Sequence, residues 1–249
     1  SELSTFLGEP FFGRDLPADQ ALPTDYAKVF TYSSLARIRR GNASGTILAG
    51  NTTLFSYRRG GAALEAVRFA SAFFGKGQFS GEALDVQGSR YVLRQELDGP
   101  YFQPLTAEQI AHGDHARMAP NGTLATDSRA LRVRSNIQTL GSQVEITETN
   151  GVFKLSFSIQ GTEDVPVAIE LAFRHGGKLE GVEPAPGVKD GYLLRSGKGR
   201  YVAGEDVIEF SPGRVEHTYT QIRGAVPKWD GQSVYLTGLT PFTLDLTIG

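Results

Sequence analysis

The chain has 249 residues, 40% hydrophobic and 21% charged, with 25 basic and 27 acidic side chains and a formal net charge of -2. That balance gives no global field to draw in nucleic acid, and with no cysteine there is no disulfide, thiolate metal site or cysteine nucleophile. No stretch approaches the roughly 18 consecutive apolar residues of a membrane-spanning helix, so we expect a globular chain with no membrane span.

The first residues are Ser1-Glu2-Leu3 and the single methionine is Met118, from which we expect a piece of a longer protein. Residues 1–28, with Pro10, Pro17 and Pro23, read as an irregular N-terminal arm. Strand-like segments follow at Phe30–Arg39, Thr46–Ala49 and Leu54–Tyr57. Between Ala62 and Phe74 the Ala, Leu and Glu content favours a helix, while Glu65, Val67, Phe69, Ser71 and Phe73 alternate as one face of a strand; the context favours the strand. Thr106 and Gln109 have capping-box spacing, and Pro104 and Pro120 bracket a helix candidate over Thr106–Met118.

The C-terminal half is dominated by two-residue periodicity. Leu131, Val133 and Ile137 share one face, as do Val144 and Ile146; Phe153, Leu155, Phe157 and Ile159; Val165 through Phe173; and Phe242, Leu244, Leu246 and Ile248. Asn150-Gly151 supplies two residues that tolerate the left-handed conformation, so the segments on either side predict a tight hairpin. Turns at Arg174–Gly177, Lys189–Gly191, Ser196–Gly199 and Ser211–Gly213 recur at the spacing of antiparallel strands. The prediction is an all-β, large two-sheet antiparallel supersandwich with at most one or two short helices, folding as a single domain over residues 1–249.

Several residues are candidates for chemistry. Arg214–Arg223 reads as a strand with His217, Tyr219 and Gln221 on one face, a pair of side chains suited to proton abstraction beside a sugar carboxylate. Arg174 and His175 end a strand before Gly176-Gly177, where side chains can project into a rim groove. His175 with Glu170 or Glu216 would serve an epimerase, provided both face one sugar. Trp229, the only tryptophan, either stacks on a sugar ring or plugs the sandwich core. Arg37, Arg39, Arg40, Arg58, Arg59, Arg68 and Lys76 either form solvated strand faces or line a cleft for an acidic sugar, since guanidinium forks pair with carboxylates and sulfates. His112, Asp114 and His115 have the spacing of metal ligands on one helical face, but no third strong ligand lies nearby, so no metal and no other cofactor is expected.

From Val165 onward the order of features resembles the C-terminal β-sandwich of the heparinase II/III-like polysaccharide lyase group, a galactose-mutarotase-like supersandwich. The matching residues are Val165–Leu171, Gly191–Leu194, Ile208–Gly213, His217 and Val234–Phe242, spread over about a third of the chain. The resemblance implies a bacterial protein with an upstream helical domain that completes a saccharide cleft and a histidine-bearing strand used for catalysis or zinc; the compartment stays open, with a periplasmic or secreted location favoured. The comparable strand here, Leu54–Gly61, carries no histidine.

The expected function is therefore a β-sandwich domain of a carbohydrate-active, lyase-like protein that forms part of a saccharide cleft. Its expected partner is a saccharide, with an acidic polysaccharide as the candidate class, and not nucleic acid. His217, Tyr219 and His175 are the catalytic candidates, and Tyr57, Arg58, Arg68, Arg174, Arg223 and Trp229 the substrate-binding ones. The alternatives are a non-catalytic structural or carbohydrate-binding module, and a mutarotase-like epimerase.

Overall fold

Alternating apolar side chains give each strand one face that must leave water, and two sheets stacked face to face bury many such faces together. The computed structural model describes residue 8, residues 21–112 and residues 132–249, and it has the predicted two-sheet architecture. β1 (Asp25–Phe30), β2 (Leu35–Arg40), β3 (Ala43–Leu48), β4 (Phe55–Arg59), β5 (Ala62–Ser71) and the short β6 (Gly77–Gln78) form an antiparallel meander. β7 (Leu84–Gln87), β8 (Arg90–Phe102), β9 (Arg134–Thr149) and β10 (Val152–Gly161) form a second one, with the helix α1 (Ala107–Ala111) between β8 and β9.

The remaining chain passes back and forth between the sheets. β11 (Pro166–Phe173) pairs with β5, and β12 (Lys178–Glu180) crosses to the second sheet. β13 (Glu183–Pro184) and β14 (Gly191–Leu193) return to the first, while β15 (Gly199–Ala203) and β16 (Asp206–Ser211) belong to the second. β17 (Gln232–Leu239) and β18 (Phe242–Ile248) close the two sheets in turn. The first sheet runs β1-β2-β3-β4-β5-β11-β17-β14-β13, with β6 beside β5; the second runs β12-β15-β16-β18-β10-β9-β8-β7. Every pairing between these strands is antiparallel except β14 with β17.

The core lies between the sheets. Phe153, Leu155, Phe157 and Ile159 of β10 meet Phe55, Tyr57, Val67 and Phe69 of the opposite sheet, and the predicted inward faces of β11 and β18 join them. Gly45 on β3 lies directly against the Phe153 ring, a space that any larger side chain would fill. The hairpin predicted at Asn150-Gly151 is present: both residues have positive φ, and Thr149 pairs with Val152 across them. The Thr106/Gln109 capping box is also present, with both reciprocal hydrogen bonds. Among the described residues no helix is long and apolar enough to cross a membrane.

Several expectations need correction. Strand structure begins at Asp25, inside the stretch read as an arm. The single segment Phe30–Arg39 is two strands, because a 3-10 turn at Thr31–Ser33 and a left-handed Ser34 reverse the chain. The segment from Ala62 forms a strand as far as Ser71, β5, but a bulge against β4 changes its phase: Leu64, not Glu65, faces the core ahead of Val67 and Phe69. Val133 and Ile137 are exposed, because β8 and β9 run past the end of β10, whose last partner on β9 is Leu140. Beyond that point they form a two-stranded extension. Leu131, Asp114 and His115 lie outside the described residues.

Phe153 packs on Phe55 and Tyr57 with ring centroids 5.0 and 5.6 Å away. Phe153→Ala removes this contact at the centre of the interface, and urea denaturation is expected to register a loss of about 3–5 kcal/mol.

Candidate functional site

The strands at the centre of the first sheet are buried on both faces. Inward they present Val67, Phe69, Ile169, Leu171, Val234 and Leu236; outward they present small residues and a few polar ones, among them Ala70, Arg68, Ala168, Glu170, Ser233 and Tyr235. What covers this outer face is the connection from β16 to β17, residues 212–231, which crosses the sheet as an irregular strap. Ile222 seals against Ala70 and Ala168, and Val215 against the Ala185–Leu193–Tyr235 cluster. The segment Arg214–Arg223 is thus no strand; its one sheet-like contact is a bridge from Val215 to Thr237. The signal for this cover was the run of small residues Ala66, Ala70, Ala168 and Ala172 where solvent-facing positions would ordinarily be polar.

Under the strap, the Glu170 carboxylate collects donors from three chain segments. Its Oε2 accepts from Arg68 Nε at 2.9 Å and forms an ion pair with the other arm of the same guanidinium. Its Oε1 accepts from Ser233 Oγ at 2.7 Å, from the Trp229 backbone N–H at 3.0 Å and from Tyr235 OH at 3.5 Å. Arg68 also donates to Pro227 O at 2.9 Å, and its guanidinium faces the Trp229 ring at 5.3 Å. Burial, reinforced by the nearby Glu170 charge, pushes the Tyr235 hydroxyl far above the usual tyrosine range. Arg68 is therefore a buried ion-pair partner and not an open saccharide contact. Trp229 is half-buried over it, outside the main core and so neither a plug nor a free platform.

At the margin of this network Trp229 Nε1 donates to Glu65 Oε2, and Glu65 Oε1 pairs with Arg174 at 2.9 Å. His175 Nε2 lies 3.2 Å from Asp230 Oδ1, both exposed. The fold thus brings Arg68, Arg174, His175 and Trp229 into one neighbourhood. It does not bring His175 into contact with either carboxylate expected of it. Glu170 is committed beneath the strap, and Glu216 is bound to Arg214 and the Leu239 N–H at the far end of β17. Partial burial works against the Glu216 carboxylate, but those two donors outweigh it and hold its carboxyl below the usual range.

His217 and Tyr219 do project side by side, with rings 5.4 Å apart, but from the strap and not from a strand. His217 Nε2 is 3.0 Å from Gly238 O, which requires a proton on that nitrogen, and Nδ1 accepts from the Tyr219 N–H at 3.2 Å. Both ring nitrogens are thereby used in holding the strap. Tyr57 is 1% exposed; its hydroxyl donates to Gly151 O, and burial, partly opposed by Arg59, raises it above the usual range. It belongs to the core, because the face of β4 that carries it turns inward. Arg58 is exposed on the opposite face of the same strand.

A groove that sequence reasoning reached only through Lys76 and Arg223 opens where the strap tip, the turn after β5 and the β8–β9 extension meet. It encloses roughly 600 Å³ and is lined by Phe74, Lys76, Tyr101, Phe102, Arg132 and Arg223. Phe74 lies over Gly99, whose missing side chain makes room for the ring, and meets Tyr101 edge-on at 5.5 Å. Both rings remain about half exposed, at 47% and 55%. Lys76 is paired with Asp98 at 3.1 Å, whereas Arg223 and Arg132 have no ion pair among the described residues. Arg132 Nε is shielded from water with no hydrogen-bond partner among those residues. The residues of this site are far apart in sequence, so no local pattern marked them as one site.

No group of three or more His, Asp or Glu side chains among the described residues is arranged to hold a metal ion. Comparisons with protein families, with curated proteins and with solved structures find no match for this chain.

Removing Arg68 strands a buried carboxylate, whereas removing Arg174 breaks a solvent-screened pair. Arg68→Ala is therefore expected to cost about 3–5 kcal/mol and Arg174→Ala about 0–1 kcal/mol in denaturant unfolding. Tyr57 and Tyr235 hold their protons more tightly folded than unfolded, so stability is fully present below the ordinary tyrosine value of about 10 and is lost as pH rises above it. Thermal melts from neutral to alkaline pH are expected to show this loss, and to show less of it in Tyr235→Phe.

Proposed function

We propose that this chain is a carbohydrate-binding β-sandwich module that takes an acidic saccharide in the groove between the strap tip and the β8–β9 extension. The observation that carries this reading is the pairing of half-open aromatic rings, Phe74 and Tyr101, with guanidinium groups that have no carboxylate partner among the described residues. Sugar rings present apolar C–H faces that stack on aromatic side chains, and a uronate or sulfate group supplies the anion that Arg132 and Arg223 lack. Such a module works beside a neighbouring domain of the same protein, which would supply any chemistry done on the polymer.

The lyase-like reading, with His217 as base and Tyr219 as its partner, has less support. A base must have a nitrogen free to accept a proton from the substrate, and both of those on His217 are hydrogen-bonded within the strap.

Calorimetric titration with a uronate-containing oligosaccharide and a neutral one of equal length tests the proposal. The acidic ligand is expected to bind, and more weakly as salt is raised. Tyr101→Ala and Arg223→Ala are each expected to lower its affinity about tenfold, as for residues at the centre of a binding site. No binding of either ligand, or full affinity in Arg223→Ala, would overturn the proposal.

A further inference from the structure

Building on the acidic-saccharide reading of the groove, we infer that the buried Arg68–Glu170 pair is the latch that holds the strap on the sheet and so positions Arg223 in the groove. The strap enters from β16 in one sheet and leaves into β17 in the other, so its two ends are fixed by strands. Between them the chain runs out to the turn after β5, where Gly224 lies against the backbone of Gly75, and then returns. Arg223 sits at that outermost point.

The outgoing limb is held by His217 on Gly238 O and Thr237, and by Ile222 against Ala70 and Ala168. The returning limb is tied at its edges by the Val226 N–H to Gln78 Oε1 at 3.0 Å, by Trp229 Nε1 to Glu65 and by the exposed Asp230 to His175, and at its centre by the pair: Glu170 accepts the Trp229 N–H, and Arg68 donates to Pro227 O. Each of these bonds needs its charged partner held in place by the other. An unpaired carboxylate or guanidinium would pull water under the strap, and the returning limb would lose its central attachment, leaving only the ties at its edges. Glu170 and Arg68 touch no ligand in this scheme; they act through the strap, as positioning residues.

Trp229 is the only tryptophan and lies directly on the latch, so its fluorescence reports the latch alone. The informative variant is Arg68→Met with Glu170→Met, which removes both charges together, leaves neither orphaned and keeps apolar bulk under the strap. It is expected to retain far-ultraviolet β-sheet dichroism while Trp229 emission moves to longer wavelength and trypsin cleaves faster after Arg223. Its preference for acidic over neutral oligosaccharide is expected to fall about tenfold, as in Arg223→Ala. Adding Arg223→Ala to the double variant is expected to lower that preference little further, since the arginine is already displaced.

Unchanged Trp229 emission and cleavage in the double variant would overturn the latch. A loosened strap with full acidic preference, or additive losses on combination with Arg223→Ala, would overturn the positioning of Arg223. If the unaltered protein binds neither oligosaccharide, the groove reading fails, and with it the positioning; emission and cleavage then decide the latch by themselves.

Discussion

A carboxylate removed from water has to replace every hydrogen bond that it gives up, and the architecture around Glu170 follows from that requirement. Its two oxygens draw donors from β5, from β17 and from the strap, so one side chain at the middle of β11 ties together elements that are distant in sequence. The arrangement works only because the outer face of the sheet is covered. Small residues at Ala70 and Ala168 let the strap approach closely enough to exclude water, and that exclusion is what makes the pairing with Arg68 compulsory.

The first sheet is thus a middle layer. One side faces the aromatic interior shared with the second sheet, where Phe153 fills the space left by Gly45; the other faces a thinner layer built from irregular chain. Irregular backbone can lie there because its amides and carbonyls find partners: Thr237 for the outgoing limb, Gln78, Glu170 and Arg68 for the returning one. The tip of the same strap carries Arg223 into the groove that Phe74 and the β8–β9 extension also line, where the proposed saccharide would lie. Loops at the margin of a rigid scaffold are usually its most mobile parts, and here the loop is steadied from beneath.

The extension of β8 and β9 past β10 has a comparable logic. A two-stranded ribbon with exposed Val133, Ile137 and Tyr101 gains little from burial by itself. It is braced instead by Phe74 over Gly99 and by Asp98 pairing with Lys76 and Arg134. Those same contacts hold the aromatic wall of the groove open to solvent.

Much of the fold was legible because it is written in local pattern. The odd-even spacing in Phe153–Ile159, Val165–Phe173 and Phe242–Ile248, the turn at Asn150-Gly151 and the capping box at Thr106 each reflect interactions within a few residues. The destinations of individual polar side chains were not written there. Tyr57 and Arg58 are neighbours on one strand, yet pleat parity sends one into the core and the other to solvent; the bulge in β5 does the same to Leu64 and Glu65. Arg68 meets Glu170 across 102 positions of sequence and Trp229 binds it across 59. Sequence by itself determined which segments extend and where they turn, since those preferences belong to single residues and their near neighbours. Only the tertiary structure decided that an apparent His217 strand is a strap and that scattered aromatic and basic residues share a groove, because packing between distant segments sets which polar groups lose water and must find one another.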